Sequence, residues 1–235
     1  MLKCYLFFLF LFIASLTGCG VNISGSGTNA ILQEYGGSLT GKTGVNATTD
    51  TTTAQGRYVE LELVNDKLET AFPKLSIPAS NCAYLFYRAL SQAERKMYDH
   101  IRITIRGKDN SYSHSYRIKE LEVVEMATSK FDEVGQLLKN EKYDDLLRQL
   151  DINYFPPVDF EKFKLKLEGL DKQFGRTGGF KLQGFEFFDH DSHGEKKRML
   201  TMYSLMTMQR TQGLVTLSID PSASITSPNI VGFNL

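Results

Sequence analysis

After Gly178 the chain alternates apolar and polar residues through four stretches, about 179–188, 196–209, 213–220 and 227–234, with no helical pattern between them. Strands joined this closely pair antiparallel, because a parallel neighbour needs a connection of a dozen residues or more. The C-terminal part is therefore a hairpin-connected sheet with an apolar face that something must cover. The segment just upstream supplies the cover. Phe160, Phe163, Leu167, Leu170 and Phe174 recur at spacings of three, four, three and four, the period of one helical face. Asp159 caps this helix after Pro156-Pro157, and Gly175 ends it. A second stripe, Phe131, Val134, Leu138, Leu146 and Leu150, predicts a helix over 129–150, broken at the polar stretch 139–145. Two helices on a curved antiparallel sheet make a stable two-layer α+β unit. Gly184 interrupts the first strand and predicts a bulge, and Pro221 and Pro228 keep the last strand at an edge. Residues 189–194 read as a turn, and Thr211-Gln212-Gly213 as a tighter one.

A first module precedes this one, over 57–127. Tyr58–Val64 alternates, with Val59, Leu61 and Leu63 on one face. Pro78-Ala79-Ser80 opens a helix, with Ser80 or the residues beside it as cap and Pro78 in the first turn. Cys82, Phe86, Ala89, Leu90, Ala93 and Met97 share its buried side as it runs to about His100. Ser91-Gln92-Ala93-Glu94 has the form of a second cap that would split it. Ile101–Arg106 is a strand, Gly107–Asn110 a turn, and Ser113–Val124 another strand with Tyr116, Ile118 and Leu121 facing in. The order is strand, helix, strand, strand, which makes the chain α+β with two modules.

The N-terminus carries an address. Lys3 precedes an uncharged apolar run, Tyr5–Leu16. Twelve helical residues span roughly 18 Å, short of the roughly 30 Å hydrocarbon core. A basic start, a short apolar run and small residues at its end describe a secretory signal, residues 1–18. The run ends in Leu16-Thr17-Gly18-Cys19, which resembles the lipobox of bacterial lipoproteins. That resemblance implies cleavage between Gly18 and Cys19 and acylation of Cys19, so that the chain's membrane partner is reached through lipid. Two or three acyl chains hold a protein stably where one does not. Gly20 in place of Asp leans towards the outer membrane in enteric-type bacteria. Residues 19–56 then read as the acylated Cys and a tether. Eight Gly, eight Thr and three Ser stand among residues 20–56 with few charges, a composition that does not offset its ordering entropy. As a coil it would reach roughly 30–40 Å. Ile31, Leu32 and Tyr35 interrupt it and are candidates to dock on the folded part.

Residues 128–235 resemble the cystatin-like and NTF2-like domains of small bacterial lipoproteins. Asn140-Glu141-Lys142-Tyr143-Asp144-Asp145 and Phe174-Gly175-Arg176-Thr177-Gly178 carry the resemblance, followed by the long strands. It implies a cone-shaped domain with a pocket between sheet and helices, to which Tyr143, Tyr154, Arg176 and Tyr203 would contribute. Some such domains are enzymes with an Asp/His pair in that pocket. Here both histidines of the module, His190 and His193, fall in the expected turn and not on a strand, so no catalytic residue is assigned.

Other chemistry weighs less. Asp189, His190, Asp191, His193 and Glu195 could ligate a metal such as zinc. The same residues also suit a polar turn, and consecutive ligands on one turn rarely close a coordination shell. Cys4 lies in the signal and Cys19 is the lipid site, which leaves Cys82 as a lone buried thiol with no disulfide partner. His100, at a helix end, and His114 read as structural. Met199, Met202, Met206 and Met208 read as core. Gly178-Gly179 opens no helix, so no phosphate cradle and no cofactor is implied. Removing residues 1–18 leaves 26 basic against 27 acidic residues, without the basic surplus of a nucleic-acid surface. The expectation is a lipid-anchored envelope protein with a non-catalytic interaction or assembly role; the alternative is a small-molecule binding module.

Overall fold

The glycine- and threonine-rich stretch that reads as a tether is part of the fold over residues 26–46. The computed structural model describes residues 25–46, 55–155, 158–192, 195–223 and 229–235. In it Ser26–Tyr35 form helix α1 and Ser38–Asn46 form strand β1. Ile31 is fully buried, as the docking expectation requires, and the Tyr35 hydroxyl accepts from Asn81 Nδ2 at 2.8 Å. β1 pairs antiparallel with β2 (Gly56–Val64), from Ser38 opposite Val64 to Asn46 opposite Gly56. Composition misleads here because β1 is an edge strand, held by backbone bonds that any sequence can make. Gly36 and Gly37, at φ 66° and 83°, turn α1 into β1. A Cβ on Gly37 would strike the Val64 carbonyl, so both conformation and space call for glycine.

A short helix α2 (Leu68–Ala71) leads to α3 (Ser76–Ala89) and α4 (Gln92–Arg95), then to strands β3 (His100–Arg106) and β4 (Ser111–Arg117). The first sheet has the order β1-β2-β3-β4. Its central pair, β2 and β3, is parallel, and α3 is the crossover that such a pair needs. Val59, Leu61, Leu63, Ile101, Ile103 and Ile105 fill the inner face. α3 starts earlier than expected. Pro78 sits in its first turn, but Ser80 is not the cap: its hydroxyl donates to the Ile77 carbonyl at 2.9 Å. The second cap is real. Ser91 Oγ accepts from Glu94 N at 3.3 Å, and Glu94 accepts from Ser91 N at 2.8 Å. The chain leaves the helix there, so Met97 is 56% exposed instead of buried. His100 begins a strand instead of ending a helix.

The expected strand 113–124 stops at Arg117. Ile118 opens α5 (Ile118–Lys139), which runs unbroken through the expected boundary at 127/128. Ile118, Leu121, Val124, Ala127, Phe131, Val134 and Leu138 are all buried, and their spacing of three or four is helical. The polar break after Lys139 occurs as expected, and α6 (Tyr143–Leu147) and α7 (Val158–Phe174) follow. Gly175 ends α7, its N–H bonding the Asp171 carbonyl at 2.8 Å.

The second sheet is the expected meander of β5 (Thr177–Ser192), β6 (Glu195–Met208), β7 (Gln212–Ile219) and β8 (Ile230–Asn234), antiparallel throughout. The β5–β6 hairpin is longer than expected. Asp189, His190 and Asp191 are strand residues opposite Arg198, Lys197 and Lys196, not turn residues. The next turn falls at Gln209–Thr211, with Met208 N bonding Thr211 O at 2.8 Å. The register shifts between Leu182 and Gly184, where α3 comes close: a Cβ on Gly184 would meet the Ile77 backbone and Ser80 Oγ. Ser80 Oγ accepts from Phe185 N at 2.8 Å and fastens α3 to the second sheet. Met199, Met202, Met206 and Met208 are buried, as expected for core. One apolar cluster runs from Val59 and Ile103 through α3 and α5 to Met202 and Leu217. The described fold is α+β, with two four-stranded sheets and seven helices among the described residues.

Candidate functional site

The outer face of the first sheet is polar by alternation, and its register lines up side chains from all four strands. Lys42, Glu60, Arg102 and Ser115 form one row. Lys42 pairs with Glu60 at 3.3 Å, Arg102 with Glu60 at 3.2 Å, and Arg102 Nε donates to Ser115 Oγ at 3.2 Å. The next row is Gly44, Tyr58, His100 and Arg117. The Tyr58 ring stacks on His100 at 5.7 Å, and the Arg102 guanidinium lies over Tyr58 at 4.9 Å. Such contacts hold both rings in place.

At this end of the sheet three segments meet on Asp99. Its carboxylate accepts from Arg57 N at 2.7 Å, its N–H bonds the Arg57 carbonyl at 2.8 Å, and its carbonyl accepts from Ile118 N at 3.1 Å. The start of β3 and the start of α5 are therefore side by side. Between them, α4 and the outer face of the sheet opens a half-open cleft of about 1580 Å³. That is larger than the roughly 300–1000 Å³ of pockets that enclose a small ligand. Seven basic and four acidic residues line it. Arg57 pairs with Asp99, Arg95 with Glu125 at 2.7 Å, and Arg198 with Glu120 at 2.7 Å. Arg102 is held by Glu60, behind the lining. Among the described residues Lys96, Arg117 and Lys119 have no ion pair, and Glu122 is the one lining carboxylate without one.

His100 lies in the lining and is 1% exposed, and its Nε2 has no hydrogen-bond partner among the described residues. A buried polar atom left in that state costs about 1–3 kcal/mol. Burial holds the imidazole below the usual histidine range, helped by Arg102 and Arg117 and opposed by Asp99, so the ring is neutral at neutral pH.

The residues singled out from the sequence lie elsewhere. Tyr143 is buried and its hydroxyl bonds Asp171, whose carboxyl is raised by burial and by Glu141. Arg176 pairs with Glu141. Tyr154 packs its ring on His190 at 5.3 Å. Tyr203 donates to Glu186 at 2.9 Å, and Lys74 lies over its ring at 5.2 Å. Of these four only Tyr143 and Arg176 share a neighbourhood, through Asp171 and Glu141, and none lines the cleft or the smaller groove of about 360 Å³ between α1, α3, α5 and β5. The expected pocket is not assembled from these residues. Asp189, His190 and Asp191 face basic neighbours across the hairpin, and His193, like Gly18 and Cys19, lies outside the described residues. No group of three or more metal-ligating side chains occurs among the described residues. Cys82 is buried, and burial pushes its thiol well above the usual range. No helix among the described residues is long and apolar enough to cross a membrane.

The cleft is not visible in the sequence because its residues come from four distant stretches, 55–57, 87–102, 113–125 and 198. The available signal was Arg102 on β3 and Arg117 at the end of the serine-rich β4, a cationic face on an otherwise neutral chain. Comparison with protein families, with curated proteins and with solved structures finds no match.

Proposed function

We propose that this chain is a lipid-anchored protein of the bacterial cell envelope, at the outer membrane, with a non-catalytic interaction role, and that the cleft at the end of the first sheet is the surface it uses. The observation that carries the binding role is the cleft itself. It is too open and too large to enclose a small molecule, it is charged, and it contains a buried nitrogen without a partner. The anchor rests on the apolar run that ends in Leu16-Thr17-Gly18-Cys19. The second sheet with α5 and α7 is a variant of the cystatin/NTF2-like arrangement; the long bulged β5–β6 hairpin, covered by helices, supports that reading. The pocket usual to such domains is not the site proposed here.

Two measurements test this. In cells fed an alkyne fatty acid, the chain takes up label and fractionates with outer membranes, while Cys19→Ser takes up none. Equal labelling of both forms refutes the anchor. A photo-crosslinking residue at position 115, on the cleft wall, gives a defined adduct in cells, whereas one at position 165, on the exposed face of α7, does not. The same pattern at both positions refutes the cleft as the engaged surface.

A further inference from the structure

We infer that the cleft binds a phosphate group, borne by a lipid headgroup or by a soluble phosphate ester, on Arg117, Lys119 and Lys96 with His100 beneath them. The inference rests on the cleft being the engaged surface and adds the chemistry of what occupies it. Arg117 and His100 are opposite one another in the β3–β4 register. Lys119 is two residues into the helix that Arg117 precedes. Lys96 belongs to the same end of the cleft, because its carbonyl accepts from Arg57 Nη2 at 3.0 Å while Arg57 also bonds Asp99, the neighbour of His100.

The other cations of the lining are already neutralised by Asp99, Glu125, Glu120 and Glu60. Lys96, Arg117 and Lys119 are all exposed, so their charges are available without breaking an ion pair. A phosphate monoester brings close to two negative charges and three acceptor oxygens. That matches a surplus of two cations, once Glu122 is counted, better than a carboxylate with one charge. A planar guanidinium can hold two of the oxygens at once. The neutral imidazole of His100 can direct an Nε2–H at an oxygen and so give its buried nitrogen a partner. Three unpaired cations at one end of the lining are too few to track a continuous polyanion, so the site suits a single phosphate, not a nucleic-acid strand.

The test uses the unlipidated mature chain, residues 20–235, which keeps every described element and carries no acyl group onto vesicles, with two phosphate monoester probes: glycerol 3-phosphate by titration calorimetry, and vesicles containing phosphatidic acid against vesicles of phosphatidylcholine by flotation. Binding of either phosphate probe is expected to weaken at least about tenfold in Arg117→Gln/Lys119→Gln and to stay unchanged in Lys162→Gln, which removes an exposed cation on α7, away from the cleft. Both substitutions are at exposed positions, and an unchanged melting temperature shows that the double variant folds. The His100 imidazole proton resonance, assigned with His100→Gln, shifts on saturation with the bound probe. Binding of glycerol 3-phosphate assigns a soluble ester, and binding of phosphatidic acid vesicles alone assigns a headgroup. No binding of either probe, equal binding by the double variant, or an unmoved His100 resonance overturns the inference. If the crosslink at position 115 forms while no phosphate probe binds, the phosphate assignment falls and the cleft remains the engaged surface; loss of the crosslink removes the reading beneath it.

Discussion

The first sheet joins β2 and β3 in parallel and depends on α3 to cross between them, whereas the second runs from β5 to β8 as a meander that needs no crossover. The meander is built from neighbours in sequence, and each hairpin fixes the register of the next strand. The first sheet is assembled from distant parts: β1 comes from a polar stretch, β2 and β3 are 36 residues apart from end to start, and the cleft lies where those parts meet. The helix that closes the parallel pair also packs on the second sheet, with ten of its 14 residues buried. The second sheet has its own local logic, and the first is held by contacts made across the whole molecule. The candidate site lies on the sheet that takes the most long-range assembly.

That contrast can be broken most sharply at α1. Ile31→Ala is expected to destabilise the chain by about 3 kcal/mol, the cost of emptying a fully buried site, while Val45→Ala, at an exposed β1 position, changes stability little. Urea denaturation measures both, and equal midpoints would mean that residues 26–46 behave as a tether after all. The junction between the sheets is the next place to press. Gly184→Ala sets a methyl group against the Ile77 backbone and should cost about 1–3 kcal/mol, whereas Gly178→Ala, with its nearest neighbour at 3.7 Å, costs almost nothing by comparison. Ser80→Ala leaves the buried Phe185 N–H without its acceptor and should cost about 1–2 kcal/mol. Because that bond links α3 to β5, the loss should appear as faster amide exchange at Phe185 ahead of any change in β2.

The smallest effect belongs to His100. Its pKa is lowered in the fold, so below the ordinary histidine value of about 6.5 the unfolded chain takes up a proton that the folded chain resists. Its contribution to stability is therefore complete above that pH and declines as pH falls through the window beneath it. Tyr58, Asp99, Arg102 and Arg117 surround the ring, and of these only Asp99 favours the charged form. Urea midpoints at pH 5 and pH 7 should differ less in His100→Gln than in the natural chain. An identical difference in the two would mean that other groups set the acid dependence.

The second half of the fold was legible because its signals are local. The Phe160–Phe174 stripe, the bulge at Gly184, the Gly175 cap and the four alternating stretches each declare themselves within a dozen residues. β1 was not legible, since Ser38-Leu39-Thr40-Gly41-Lys42-Thr43-Gly44 has no apolar face and becomes a strand only against β2. The start of α5 was misread because Tyr116 and Ile118 are two apart, so the last strand residue and the first helical one imitate a continuing alternation. The site was the least legible part. The resemblance implies a pocket of Tyr143, Tyr154, Arg176 and Tyr203, yet all four are held by acidic or aromatic partners and do not converge on one cavity. His100 and Arg117 are 17 positions apart in sequence, and only the β3–β4 register sets them side by side.

The folding back of residues 26–46 changes the mooring of the whole molecule. With Cys19 acylated as proposed, six residues, 20–25, separate the lipid from the first turn of α1, and fully extended they reach at most about 21 Å. A long leash would let the body drift and tumble above the bilayer. A short one berths it, with the α1 corner kept close to the lipid surface and rotation about the anchor as its main freedom.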